Sequence, residues 1–128
     1  MKETLELGCG SGKLAVFLSK LGAELTTIDI GFDLVYESRA LSRANNISCN
    51  FQQANTKRIP FRSNTFDIVV GLAVLHHLSE YEVPEVIEDT RGVLKNDGVA
   101  VFYETVENSK IFDYIQKIFP QEKRESVL

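Results

Sequence analysis

A chain of 128 residues, 44% hydrophobic and 25% charged, has the composition of one globular domain and excludes a disordered or fibrous protein. Its 18 acidic and 14 basic side chains leave a net charge of −4, which argues against broad electrostatic binding to nucleic acid or an anionic membrane. The longest apolar stretch, Ile68–Leu75, falls far short of the ~20 residues that span a bilayer. Cys9 and Cys49 lack CxxC spacing and make neither a disulfide framework nor a zinc site. The opening MKETLELG has no signal-peptide hydrophobic region, so the expected compartment is cytoplasmic, the cytosol.

In chain order, Thr4–Leu7 reads as a short strand running into Gly8, Gly10 and Gly12. Leu14, Phe17, Leu18 and Leu21 follow at helical spacing, predicting a helix with these four on its buried face, stopped by Gly22. Glu24–Ile30, rich in β-branched residues, is a second strand. A weaker amphipathic helix with Leu34, Val35, Leu41 and Ala44 ends at Asn45-Asn46, and Ile47–Gln52 is a third strand. Ala54–Thr65 is polar, contains Pro60 and reads as a loop. Phe66–Leu72 is so continuously apolar that burial on both faces in a parallel sheet is expected. Val83, Val86, Ile87, Val93 and Leu94 mark the next helix. Asn96-Asp97-Gly98 is a turn signal before a fifth strand, Val99–Tyr103. Ser109 caps a last predicted helix bearing Ile111, Phe112, Ile115, Ile118 and Phe119, with Pro120 ending it. Strands alternating with helices imply right-handed crossovers, hence an α/β, doubly wound, Rossmann-like domain.

A strand, a glycine-rich turn and a helix start make a cradle for an anion or a polar ligand, and spacing separates the families that use one. A P-loop fails twice, because Leu7 stands at its first glycine and Leu14 at its metal-binding hydroxyl. The dinucleotide pattern G-x-G-x-x-G fails at Lys13, where close helix–strand packing needs glycine. What remains is Glu6-x-Gly8-x-Gly10-x-Gly12, with Asp29 ending the next strand. This resembles the class I S-adenosylmethionine-dependent methyltransferases. Ile59-Pro60-Phe61 with Phe66–Val70, Val74–Leu78, and Arg91–Gly98 are similar to three further motifs of that family, in order; the match is best to its methyltransferase type 11 branch.

The resemblance implies a sheet ordered 3-2-1-4-5, with S-adenosyl-L-methionine bound across the carboxyl ends of the first and fourth strands. It places Gly8, Cys9, Gly10 and Gly12 along the methionine part, Glu6 toward the cationic end and Asp29 on the ribose hydroxyls, with Ile30 and Leu72 also contacting the cofactor. Cys9 itself reads as a small packing residue and not a nucleophile. Asn55 occupies the adenine-binding position, where the family usually has aspartate, and Thr56 offers its backbone amide. His76 and His77 border the transferred methyl, and either can act as a base because imidazole titrates near neutrality. The alternative for them is loop architecture, since positioning alone can carry methyl transfer. No metal is implied.

The expected activity is methyl transfer by direct displacement to a small-molecule or lipid-like acceptor, entering near His76, His77 and Phe61. A non-catalytic cofactor-binding module or partner subunit is the alternative from another class, and tRNA methylation is a third that the acidic balance disfavours. A single domain, 1–128, shortened at both ends relative to the family, is expected. That predicts cofactor binding with poor turnover, and self-association through an uncovered Val99–Tyr103 edge, unless a longer chain or a partner completes it.

Overall fold

A computed structural model describes residues 2–104, so the helix expected around Ile111–Phe119 lies outside the described residues. Five strands form one parallel sheet in the order β3-β2-β1-β4-β5. In chain order these are β1 (Glu3–Leu7), α1 (Lys13–Lys20), β2 (Glu24–Asp29), α2 (Phe32–Ala44), β3 (Asn50–Gln53), β4 (Phe66–Leu72), α3 (Glu82–Val93) and β5 (Leu94–Tyr103). A single 3-10 turn, Leu75–His77, follows β4. Residues 54–65 connect β3 to β4 with no helix or strand, as their polarity and Pro60 predict. Among the described residues no helix is long and apolar enough to cross a membrane.

Alternation along β1 divides the core between the two sheet faces. Leu5 and Leu7 pack with Ile28, Val69 and, from α3, Val83, Val86 and Ile87. Each fully buried aliphatic of this kind contributes about 1.5–3 kcal/mol relative to exposure. The intervening residues Thr4 and Glu6 are buried on the opposite face, which continues into a second cluster of Cys9, Ala15, Leu25, Val35 and Phe51 under α1 and α2.

Three expectations are corrected here. On α1 the residue that meets the sheet is Ala15; Leu18 is half-buried, while Phe17 and Leu21 are 59% and 70% exposed. On α2 the buried face is Val35, Ser38 and Ser42, with Leu34 and Ala44 exposed, because small residues permit close approach. Asn96-Asp97-Gly98 does not precede the fifth strand but lies inside it. Phe66 pairs with Leu94 and Ile68 with Val99, so the extra residues form a bulge that re-registers β5 against β4.

Over β4 and β5 the face opposite α3 stays open among the described residues. Val99, Val101, Tyr103 and Leu72 are exposed there, while Ala100 and Phe102 turn inward to the core.

Candidate functional site

Parallel strands align their carboxyl ends on one edge, and the sheet order reverses between β1 and β4. In such sheets ligands are held in the crevice beyond the carboxyl ends at that reversal, here beyond Leu7 and Leu72. Gly8 continues β1 by donating from its amide to Ile28 O at 2.8 Å, then turns with φ +81°. Gly10 and Gly12 follow at φ +49° and +87°. The two differ in what surrounds them. A Cβ on Gly10 would meet nothing within 4 Å, whereas one on Gly12 would lie 2.8 Å from Ser38 Cα. Gly10 thus faces open space and Gly12 is where α2 leans on the loop. Ser38 completes that contact by donating to Gly10 O at 3.1 Å. Among the described residues the Cys9 and Ser11 amides have no protein acceptor.

Two carboxylates flank this loop. Glu6 is 1% exposed and accepts a hydrogen bond from Thr27 Oγ1 at 2.7 Å. Burial pushes its carboxyl up from 4.5 to about 7, with the Thr27 bond opposing the rise and Asp29 adding to it. Asp29 closes the turn after β2: its Oδ1 accepts from Gly31 N at 2.8 Å and its Oδ2 from Gly10 N at 3.4 Å. The carboxylate ties the loop to the turn that leads into α2, but Asp29 is not the helix cap: that position is Gly31, and no side chain caps α2. Cys9 is buried, and burial pushes its thiol up to about 11, which keeps it protonated and inert as a nucleophile.

Beyond β2, Ile30 is exposed and its carbonyl accepts from Gln53 Nε2 at 3.1 Å, while Ala54 N donates to Asp29 O at 2.9 Å. These bonds bring Asn55 and Thr56 alongside the Asp29 turn. Asn55 Oδ1 accepts from Lys57 N at 3.0 Å, so part of its capacity is committed to its own turn. Leu72 ends β4 at the same edge, half exposed. Phe61 does not reach the site. Its ring packs edge-on against Phe66, 5.2 Å between centroids, at the opposite end of β4, so the acceptor entrance expected near it is withdrawn.

After Leu72 the chain turns through Ala73, at φ +55°, whose amide donates to Tyr103 O at 2.7 Å. Val74 then touches the glycine loop, 3.1 Å from where a Gly8 Cβ would stand. His76 and His77 follow with ring centroids 3.9 Å apart and planes tilted by 40°. A residue the sequence reading missed organises this turn. Glu104, just past β5, accepts from Val74 N at 2.9 Å and Leu75 N at 2.7 Å through Oε1, and its Oε2 lies 3.0 Å from His76 Nδ1. The available signal was positional: an acidic residue directly after a strand, on the edge where parallel sheets gather their functional groups.

Open backbone at Gly10, free amides at Cys9 and Ser11, and two acidic side chains suit a ligand that carries a cation, a carboxylate and hydroxyls. The residues therefore fit S-adenosylmethionine. Two surface concavities of about 420 and 400 Å³ lie elsewhere. The first sets Lys57 and Arg58 against Glu85, Glu88 and Asp89, so its cations already face carboxylates of the same chain.

Comparison with known proteins agrees with this geometry. A family described as "Methyltransferase domain" matches residues 5–102. A ubiquinone biosynthesis O-methyltransferase of Colwellia psychrerythraea is 28% identical over 122 residues, 94% of this chain and 48% of that protein. The human mitochondrial arginine-hydroxylase NDUFAF5 is 33% identical over 99 residues, 76% of this chain and 27% of that one. Among solved structures, a methyltransferase of Methanosarcina mazei described as SAM-dependent superposes with a TM-score of 0.79 at 25% identity, covering 93% of this chain and 59% of that one. The chain spans about half the length of the curated relatives it matches. With the family matched from β1 almost to the end of β5 and the glycine loop in place, the chain belongs to the methyltransferase domain family, in its class I, S-adenosylmethionine-dependent form.

Proposed function

We propose that this chain binds S-adenosylmethionine and transfers its methyl group to a hydroxyl on a small-molecule acceptor by direct displacement. One observation carries the proposal: the glycine loop, with open backbone at Gly10, follows buried Glu6, is tied to Asp29 through Gly10 N, and meets Val74 at the head of the His76–His77 turn through Gly8, at the point where strand order reverses. In this reading the Cys9 and Ser11 amides receive the methionine carboxylate, and Glu6 opposes the cationic end. Asp29 keeps lone pairs for the ribose hydroxyls beyond those used by Gly31 and Gly10. Gly8 and Gly12 hold the loop open, Ile30 and Leu72 wall the cofactor, and Asn55 with Thr56 face its adenine. Asn55 Oδ1 has a second lone pair free for the adenine amine after its bond to Lys57.

The cofactor supplies a methyl group on a sulfonium, whose bonding pair returns to sulfur on transfer. The chain's part is to align donor and acceptor and to take up the acceptor's proton, a task His76 or His77 can perform from the edge of the crevice. The O-methyltransferases among the relatives support an acceptor hydroxyl, and a base beside the site is most useful for an oxygen nucleophile. Incubation with methyl-labelled S-adenosylmethionine and a panel of catechols and amines tests the reading. Label on a phenolic oxygen is expected. Cofactor bound with no label on any acceptor, in the panel or in a cell extract, would instead identify a binding module.

A further inference from the structure

Glu104 divides its two oxygens between two tasks. Oε1 accepts both backbone amides at the head of the Leu75–His77 turn, and Oε2 is left for the His76 ring. The side chain is only 10% exposed, so these charge-assisted bonds are weakly screened by solvent. The turn they hold is the one that touches the glycine loop through Val74. A carboxylate can only accept, so a neutral His76 bonded to it carries its proton on Nδ1. Nε2, across the ring, is then the unprotonated nitrogen. His76 stays 41% exposed in its side chain, which leaves that nitrogen within reach of an incoming molecule. His77, stacked on it, is given no such partner among the described residues.

We propose that Glu104 is a positioning residue: its carboxylate fixes His76 in the Nδ1–H tautomer and so makes His76 Nε2, and not His77, the proton acceptor in methyl transfer. The chemistry rests on the methyltransferase reading given above. As the acceptor's O–H bond breaks, its proton goes to His76 Nε2 and the electron pair stays on oxygen. That oxygen forms the new bond to the methyl carbon while the carbon–sulfur pair passes to sulfur. The resulting imidazolium faces the Glu104 carboxylate 3.0 Å away, whereas a cation on His77 would have no carboxylate beside it among the described residues. The arrangement of acid, imidazole and acceptor proton follows the general logic of an oriented base.

The test uses the chain labelled with ¹⁵N in its histidines and long-range proton–nitrogen correlation spectra recorded at a pH where both rings are neutral. A His77→Asn variant assigns the two rings. His76 is expected in the Nδ1–H form. In Glu104→Gln the amide oxygen still accepts the Val74 and Leu75 amides, but its NH2 now donates toward Nδ1, so the ring is expected to switch to Nε2–H. Finding His76 as Nε2–H in the unaltered chain, or unchanged by Glu104→Gln in a folded variant, overturns the proposal. The spectrum of the unaltered chain decides even where Glu104→Gln fails to fold.

A kinetic arm uses the acceptor that takes the label. Glu104→Gln is expected to lower kcat roughly 10²-fold, within the range for general-base assistance, with cofactor affinity unchanged and no further loss in a His76→Ala background. Equal losses in both backgrounds overturn the positioning role. The Nδ1–H tautomer in a chain that binds no S-adenosylmethionine would sink the methyltransferase reading and leave the tautomer assignment intact.

Discussion

Gly10 and Gly12 sit two residues apart in the same loop, both at positive φ, yet they answer to different constraints. Alanine at 10 meets open space and costs the fold only the left-handed backbone strain, about 1–2 kcal/mol. Alanine at 12 adds a collision with the α2 backbone at Ser38, so about 2–4 kcal/mol is expected. Denaturant titration of both variants checks this, and Gly10→Ala is the one expected to remain folded while losing the cofactor. Glu6 yields a pH prediction. Its carboxyl titrates near 7 in the folded chain, above its ordinary 4.5, so folding is favoured by its proton. That contribution is full below about 4.5 and is lost as pH rises through about 7, on the order of 3 kcal/mol in all. Glu6→Gln should therefore gain stability over the unaltered chain between pH 5 and 8, measured by urea unfolding without ligand. A variant whose pH slope matches the unaltered chain would show that Glu6 does not carry the effect. A bound cation reverses the penalty, so cofactor binding near pH 6 should release protons, seen as a dependence of the calorimetric heat on buffer ionisation.

Helix α1 shows how a periodic pattern can identify an element and still misplace its face. Spacing of Leu14, Phe17, Leu18 and Leu21 correctly marks the helix, and Gly22 its end, but counting apolar residues says nothing about distance to the sheet. Ala15 is the buried contact, and Phe17 stands in solvent. In α3 the apolar stripe and the buried face nearly coincide: Val83, Val86, Ile87 and Val93 are buried, Thr90 joins them, and Leu94 opens β5 instead. Phe17→Ser is accordingly expected to change stability by no more than about 0.5 kcal/mol. Ile87→Ala, which empties the core between α3 and the sheet, should cost about 2–5 kcal/mol. Equal losses for the two would contradict the assigned packing. For β5 the strand was identified but its start was misplaced. Asn96-Asp97-Gly98 carries turn chemistry, and the fold uses it as a bulge within a longer strand.

At the scale of the whole molecule, the reversal of strand order between β1 and β4 turns local motifs into a site. The glycine loop, the Asp29 turn and the His76–His77 turn are separated in sequence but share one edge because parallel strands end together there. All five strands were legible from apolar runs, and the cradle was read from the spacing of Gly8, Gly10 and Gly12 with Glu6 and Asp29. Glu104 was not, since its partners are backbone amides thirty residues away that no spacing rule connects. Phe61 misled for the converse reason: it neighbours the motif in sequence but packs at the far end of β4. The central claim is that the cradle is built for S-adenosylmethionine and not for a phosphate-bearing nucleotide. Isothermal calorimetry of this chain with S-adenosylmethionine, S-adenosylhomocysteine, NAD and ATP tests it most directly. Saturable binding of the first two, abolished by Gly10→Ala in a folded chain, with none of NAD or ATP, is the predicted result. Tighter binding of NAD or ATP, or cofactor affinity untouched by Gly10→Ala, would contradict it.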